Sequence, residues 1–377
     1  MDISFQETGV VKQKEDIIIR RGIVHILDAT LGYPVYSEQE LDLTPDINDF
    51  FRSHIFKLMS GDDMKKCYFP EEEDSPVYDI VKEFSEDDLV ADSKRLTDEL
   101  YRIMNANVAI PSADLAIVTF QVAGQKYLAL LKMNYKESFV HMTNAEEAGN
   151  VNSIIRYQAT LPGSGSKLSE AVIINLQDFS VRIVEKKYEV NGEKVNYLSE
   201  LYLQCKAAMS DKTKLAVVTR AVEQVNKKHF SEEPVKQMET KSILKQEIEE
   251  NGAIQVERIS EKMYGSTPEI KEEFDAKMEK YHMEKAEVKP QSEQTTKKFE
   301  KQYLKTDTGI EINIPMEQYQ DIDQVEFITN ADGTISVLIK NINKIMKKED
   351  KHVSDLGKDL ERQSFAARYY NLRCCYG

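Results

Sequence analysis

The sequence contains no tryptophan, and its 377 residues include only four cysteines, ten prolines and fifteen glycines. Each shortage excludes something. No run of about 18 apolar residues occurs, so no segment reads as a transmembrane helix. The first sixteen residues, MDISFQETGVVKQKED, lack the charged-then-apolar pattern of a secretory signal. Cys67, Cys205, Cys374 and Cys375 lie far apart or side by side, and no Cys-x-x-Cys or Cys/His spacing suggests zinc. Adjacent cysteines bridge only with strain, so reduced thiols in a cytosolic protein are expected. No internal repeat is evident.

What is present is a globular composition, 41% apolar and 31% charged, in a chain long enough for two domains or one with extensions. The net charge of −15 is unevenly spread. Residues 37–99 hold 19 acidic against 7 basic side chains, a net of −12 that leaves only −3 elsewhere. Residues 341–377 hold 8 basic against 5 acidic side chains, a net of +3. Fields between exposed charges fade over roughly 8–10 Å in physiological salt, so local balance outweighs the total.

Periodicity predicts an α+β fold: an N-terminal antiparallel sheet with packed helices, followed by a helical domain that carries a closing β-hairpin. DIIIRRGIVHILD (16–28) reads as a strand, with Gly22 marking a bulge or turn. Thr44 as cap, Pro45 at the first helical position and Gly61 beyond the last turn delimit a helix. A second amphipathic helix is expected from about Leu89 to Met104, then a hairpin turning around Ala123–Gln125. Further strands are expected at 154–160, 171–176 and 180–190, the last turning at Asn191–Gly192. From Leu198 successive helical patterns follow, beginning with LYLQCKAAMS; Asn251–Gly252 is a stop signal, and Ser266 with Glu269 forms a capping box for a last helix. After a polar connector (287–298), VEFITNADGTISVLIK forms the hairpin. The expected division is 1–197, 198–342 and a basic tail, 343–377.

Motifs for catalysis are weak. LPGSGSKLSE (161–170) misses the phosphate-loop spacing, because Ser166 separates Gly165 from Lys167, and it reads as a strand–strand connection. The acidic runs 71–74 and 85–88 lack the alternation of a cation-binding loop. The six histidines show no HxxxH pair; His25 and His54 read as packed core groups. Neither an enzymatic activity nor a cofactor or metal is expected. The helices between 242 and 282 with the hairpin have the order of a winged helix-turn-helix. However, the last helix opens with Glu269, Glu272 and Glu273, which repel phosphate and argue against base-specific readout. The residues suited to phosphate contact are Arg220, Lys227 and Lys228, together with Lys340, Lys344, Lys347, Lys348 and Lys351, the last five sharing a face if they are helical.

HILDATLGYPVYSEQELDL (25–43) resembles the opening of the bacterial 37-kDa nucleoid-associated proteins of the NdpA/YejK type. GIEINIPMEQYQDIDQVEFITNADGTISVLIKNI (309–342) resembles their closing motif, and EAVIINLQDFSVRIVEKKY (170–188) fits between. The resemblance implies a non-enzymatic, cytoplasmic, nucleoid-located homodimer that binds double-stranded DNA without strong sequence preference. The family supplies no catalytic motif. The alternative is a protein-interaction or DNA-mimic module that offers its acidic face, 37–99, to a basic partner. No membrane association is expected.

Overall fold

The computed structural model describes residues 11–69, 75–146, 149–230 and 234–344. The chain divides into two compact units, one ending at Asn313 and one beginning at Ile314.

The first unit opens with strand β1 (Ile18–Leu27), helix α1 (Pro45–Met59), strand β2 (Lys65–Tyr68) and helices α2 (Pro76–Glu83) and α3 (Leu89–Ala106). Strands β3 (Ala113–Val122), β4 (Gln125–Asn134), β5 (Lys136–Glu146), β6 (Gly149–Thr160), β7 (Ala171–Asn175) and β8 (Val181–Val184) follow. The short strands β9 (Tyr188–Val190) and β10 (Glu193–Val195) pair with each other, and β11 (Lys206–Ala207) returns to the main sheet. That sheet has the order β1-β3-β4-β7-β8-β2-β11, and every neighbouring pair is antiparallel.

Alternation along β3 explains why both faces of the sheet are covered. Leu115 and Ile117 pack with α2 and α3 through Val81, Leu96 and Leu100, whereas Ala116, Val118 and Phe120 pack with α1 through Phe51, Ile55 and Leu58. With helices on both sides, β3 and β4 bury nearly every residue and read as continuous apolar runs. Thr44 caps α1 by accepting the Ile47 N–H, and Pro45 needs no partner at the first turn. Ala123 (φ 49°) and Gly124 (φ 85°) form the two-residue turn between β3 and β4, whose left-handed pair matches strand twist. The β1 irregularity lies between Ile19 and Arg21, one residue ahead of Gly22.

One buried polar cluster pins the sheet. Glu170 accepts from Tyr197 Oη at 2.6 Å, Tyr188 Oη at 3.0 Å and Asn134 Nδ2, and pairs with the equally buried Lys132. Burial lowers the Lys132 ammonium to about 8, while the Glu170 carboxylate opposes that shift.

The structure departs from expectation at the cysteines and at residues 198–207. Cys67 and Cys205, separated by 138 residues, form a disulfide, because antiparallel pairing of β2 with β11 brings them together. The stretch 198–207 is not an ordinary helix: five residues make a π-helical turn, and the chain then enters the sheet edge as β11. The third and fourth cysteines lie outside the described residues.

Beyond Ser210, whose Oγ caps it, comes helix α4 (Asp211–His229), then α5 (Pro234–Asn251), β12 (Ile254–Gln255), α6 (Val256–Tyr264), α7 (Pro268–Glu279) and β13 (Glu287–Val288). β12 and β13 pair antiparallel, which gives the helix–strand–helix–helix–strand order of a winged helix-turn-helix. Val218, Val222, Val225, Leu244, Ile259 and Phe274 form its core. Thr267, not Ser266, occupies the cap position of α7 and makes no side-chain capping bond, so the expected capping box is not formed.

Asp62 ties this block to the sheet. Its buried carboxylate accepts the backbone N–H groups of Gln291 (2.8 Å) and Ser292 (3.2 Å), and its carbonyl accepts that of Lys212 (3.0 Å). Strands β14 (Lys301–Lys305) and β15 (Glu311–Pro315) pair with each other.

The second unit contains a hairpin of β16 (Val325–Thr329) and β17 (Ile335–Ile339), as expected from the sequence. Tyr319 packs on Phe327 with ring centres 5.4 Å apart.

Candidate nucleic-acid interface

The packing of α4 against α7 creates a cationic surface. Lys228 Nζ lies 2.7 Å from Glu273 Oε2, and Lys277 Nζ donates to Gln224 Oε1 at 3.2 Å. Ascending one helix therefore descends the other, and the pair is antiparallel. Their apolar stripes, Val218, Val222 and Val225 against Phe274 and Met278, hold them together.

A groove of about 310 Å³ runs between them, lined by Thr213, Ala216, Val217, Arg220, Ala221, Gln224, Lys277, Lys280 and Tyr281. Three cations and no carboxylate face it. Ala216, Val217 and Ala221 are its apolar lining residues. Tyr281 is 49% exposed at the rim. The arrangement suits a run of phosphates, with long cationic side chains reaching from two rigid helices and an exposed ring beside them.

Of the sequence-derived candidates, Arg220 lies in this groove and is exposed. Lys227 and Lys228 sit about two turns further along α4; Lys228 is engaged by Glu273, which His229 also contacts at 2.8 Å. These two partners hold the Glu273 carboxyl down at about 2. Lys340 and Lys344 belong to the second unit. Lys340 pairs with Glu326 at 2.5 Å and donates to the Ile322 carbonyl, while Lys344 is exposed. Asn341 is left-handed (φ 56°) and residues 341–344 are not helical, so Lys340 and Lys344 do not share a helical face. Lys347, Lys348 and Lys351 lie outside the described residues.

Sequence reading missed Gln224, Lys277, Lys280 and Tyr281. For Lys277 and Lys280 a signal was available in their i, i+3 spacing at the C-terminal end of α7, where Lys280 is the cap residue.

The acidic region 37–99 is largely engaged in ion pairs. Glu86 meets Arg20 and Lys126, Glu40 meets Arg21, Glu38 meets Lys94, and Asp63 meets Lys167 and Lys212. Arg20 and Lys126 hold the Glu86 carboxyl at about 2 against the opposing effect of burial. Glu71–Asp74 lie outside the described residues. The loop 161–170 joins β6 to β7, with Lys57 Nζ donating to the Ser164 carbonyl at 2.6 Å. His54 is buried against Phe50 and meets the Pro162 carbonyl through Nε2 at 3.2 Å. Among the described residues no helix is long and apolar enough to cross a membrane.

No curated protein matches the chain. A family model described as "nucleoid-associated protein YejK" matches residues 23–347, spanning the sheet, the helical block and the closing hairpin. The chain belongs to the YejK family of nucleoid-associated proteins.

Proposed function

We propose that this chain binds double-stranded DNA without strong sequence preference, through phosphate contacts, as a cytoplasmic, nucleoid-located homodimer with no catalytic role. The observation that carries the proposal is the groove between α4 and α7, where Arg220, Lys277 and Lys280 converge with no lining carboxylate. The same helix argues against base reading. In a winged helix-turn-helix the N-terminal turns of the recognition helix meet base edges; here those turns carry Glu269, Glu272 and Glu273. Phosphate contact at the C-terminal end of α7 avoids them.

The test is a salt titration of binding to two unrelated duplexes of equal length. Equal affinities that fall steeply with salt are expected, because each neutralised phosphate releases counterions. Absence of binding at low salt overturns the proposal and favours a protein partner for residues 37–99. The ion pairs already formed within that region weigh against the second outcome.

A further inference from the structure

Strands β5 and β6, of eleven and twelve residues, pair among the described residues with each other alone. They continue from the end of β4 and return through the 161–170 loop to β7, so they form an arm beyond the main sheet. A two-stranded ribbon is marginal in water by itself and needs a covering surface. The register places Val140 opposite Ile155, Ser138 opposite Tyr157, Met142 opposite Ser153 and Asn144 opposite Val151. One face thus carries Val140, Met142, Val151, Ile155 and Tyr157, and each is between 37% and 52% exposed. On the other face Phe139 and Ile154 are 73% and 77% exposed. The first face, with five apolar side chains, is the broader of the two and can meet a single partner surface, whereas Phe139 and Ile154 point the opposite way.

We infer that the β5–β6 arm is the surface through which two copies of this chain associate. This rests on the homodimer reading above and supplies its interface. Charge selects the occupant. Two chains of net −15 repel over most of their surfaces, but residues 136–160 carry only Lys136 and Arg156 against Glu137, Glu146 and Glu147. Arg156 is moreover bound to Glu137 across the strands. A nearly neutral, apolar patch is where like can meet like, and a two-fold contact requires that self-complementarity. The same balance disfavours DNA, which needs free cations, and a basic protein, which needs free acids. Long strands with open edges and few charges are otherwise avoided on single chains.

Sedimentation velocity of the full chain tests the inference, comparing the wild type with a Val140→Thr, Ile155→Glu variant. The expected result is a two-chain wild-type species and a one-chain variant that keeps the wild-type far-UV circular dichroism spectrum, since both side chains are exposed. A one-chain wild type at tens of micromolar overturns both the homodimer reading and the arm. A two-chain variant overturns the arm alone. Should the variant fold poorly, a photo-crosslinking amino acid at Tyr157 decides on an otherwise native chain. Capture of a second copy is expected; capture of DNA, or no capture in a wild-type dimer, overturns the inference. Neither outcome touches the groove, whose salt titration is a separate measurement.

Discussion

Replacing Arg220, Lys277 and Lys280 together with glutamine removes three charges from the groove and leaves its apolar floor intact. Among the described residues none of the three has an ion-pair partner, and Lys277 donates to Gln224. The effect therefore falls on the ligand, not on folding. Each phosphate contact contributes about 0.9 to the slope of log affinity against log salt, so the slope should flatten by about 2.7. Between 50 and 200 mM salt, a fourfold change, the gap between wild type and variant should shrink by roughly 40-fold. Fluorescence anisotropy with a labelled duplex at five or six salt concentrations measures this directly. The internal control is Lys228→Gln combined with Glu273→Gln, which deletes an existing ion pair and leaves net charge unchanged. That variant should keep the wild-type slope. An unaltered slope in the triple variant, or equal flattening in the control, would refute the argument that unpaired cations on α4 and α7 meet phosphate.

Other outcomes follow from the same structure. Glu170→Gln leaves the buried Lys132 without an anionic partner, and a loss of about 3–5 kcal/mol in chemical denaturation is expected; a loss under 1 kcal/mol contradicts it. His25 sets an acid limit. Its Nε2–H donates to Ser93 Oγ at 2.9 Å and its Nδ1 accepts the Ser37 N–H at 3.1 Å, so only the neutral ring fits. Burial, aided by Lys94, lowers its folded-state value to about 4 from an ordinary 6.5. Between those values the unfolded chain takes up a proton that the folded chain refuses, so stability should fall as pH drops from 6.5 to 4, by about 3 kcal/mol in all. His25→Gln should flatten that part of the urea-midpoint profile, and an unchanged profile counts against it. Without reductant, two of the four cysteines should resist thiol labelling in denaturant; reduction should cost up to about 5 kcal/mol by loop-closure entropy over 138 residues. Four reactive thiols would remove the disulfide. Changing Lys344, Lys347, Lys348 and Lys351 to Gln should lower DNA affinity and flatten its salt slope if the basic tail also meets phosphate, and an unaltered slope excludes the tail.

Local signals that bind the backbone directly were legible before the fold. Thr44 and Pro45 start α1, and Ala123–Gly124 turns β3 into β4, because both act through contacts a few residues away. Gly252 ends α5 from its left-handed position (φ 69°) for the same reason. Elements whose shape depends on distant partners were not legible. The residues 198–207 carry a helical pattern, but pairing of Lys206 with Tyr68 draws them to the sheet edge. The first strand of the arm, β5, has no buried face between 136 and 144 to impose alternation, and no strand was expected there. The groove was half visible. Arg220 stood out within its segment, whereas α7 was judged by its acidic N-terminal turns. Only antiparallel packing on α4 sets the other end, Lys277 to Tyr281, beside Arg220.

Asp62 holds backbone from both sides of the helical block: Lys212 at its entry and Gln291 and Ser292 at its exit. Both ends of the block are therefore held at almost one point, the turn between α1 and β2. The chain beyond Ser292 returns to the block, where Phe299 joins its core, and not to the main sheet. One aspartate thus acts as a clasp, and a single substitution there loosens the block's entry and its exit together.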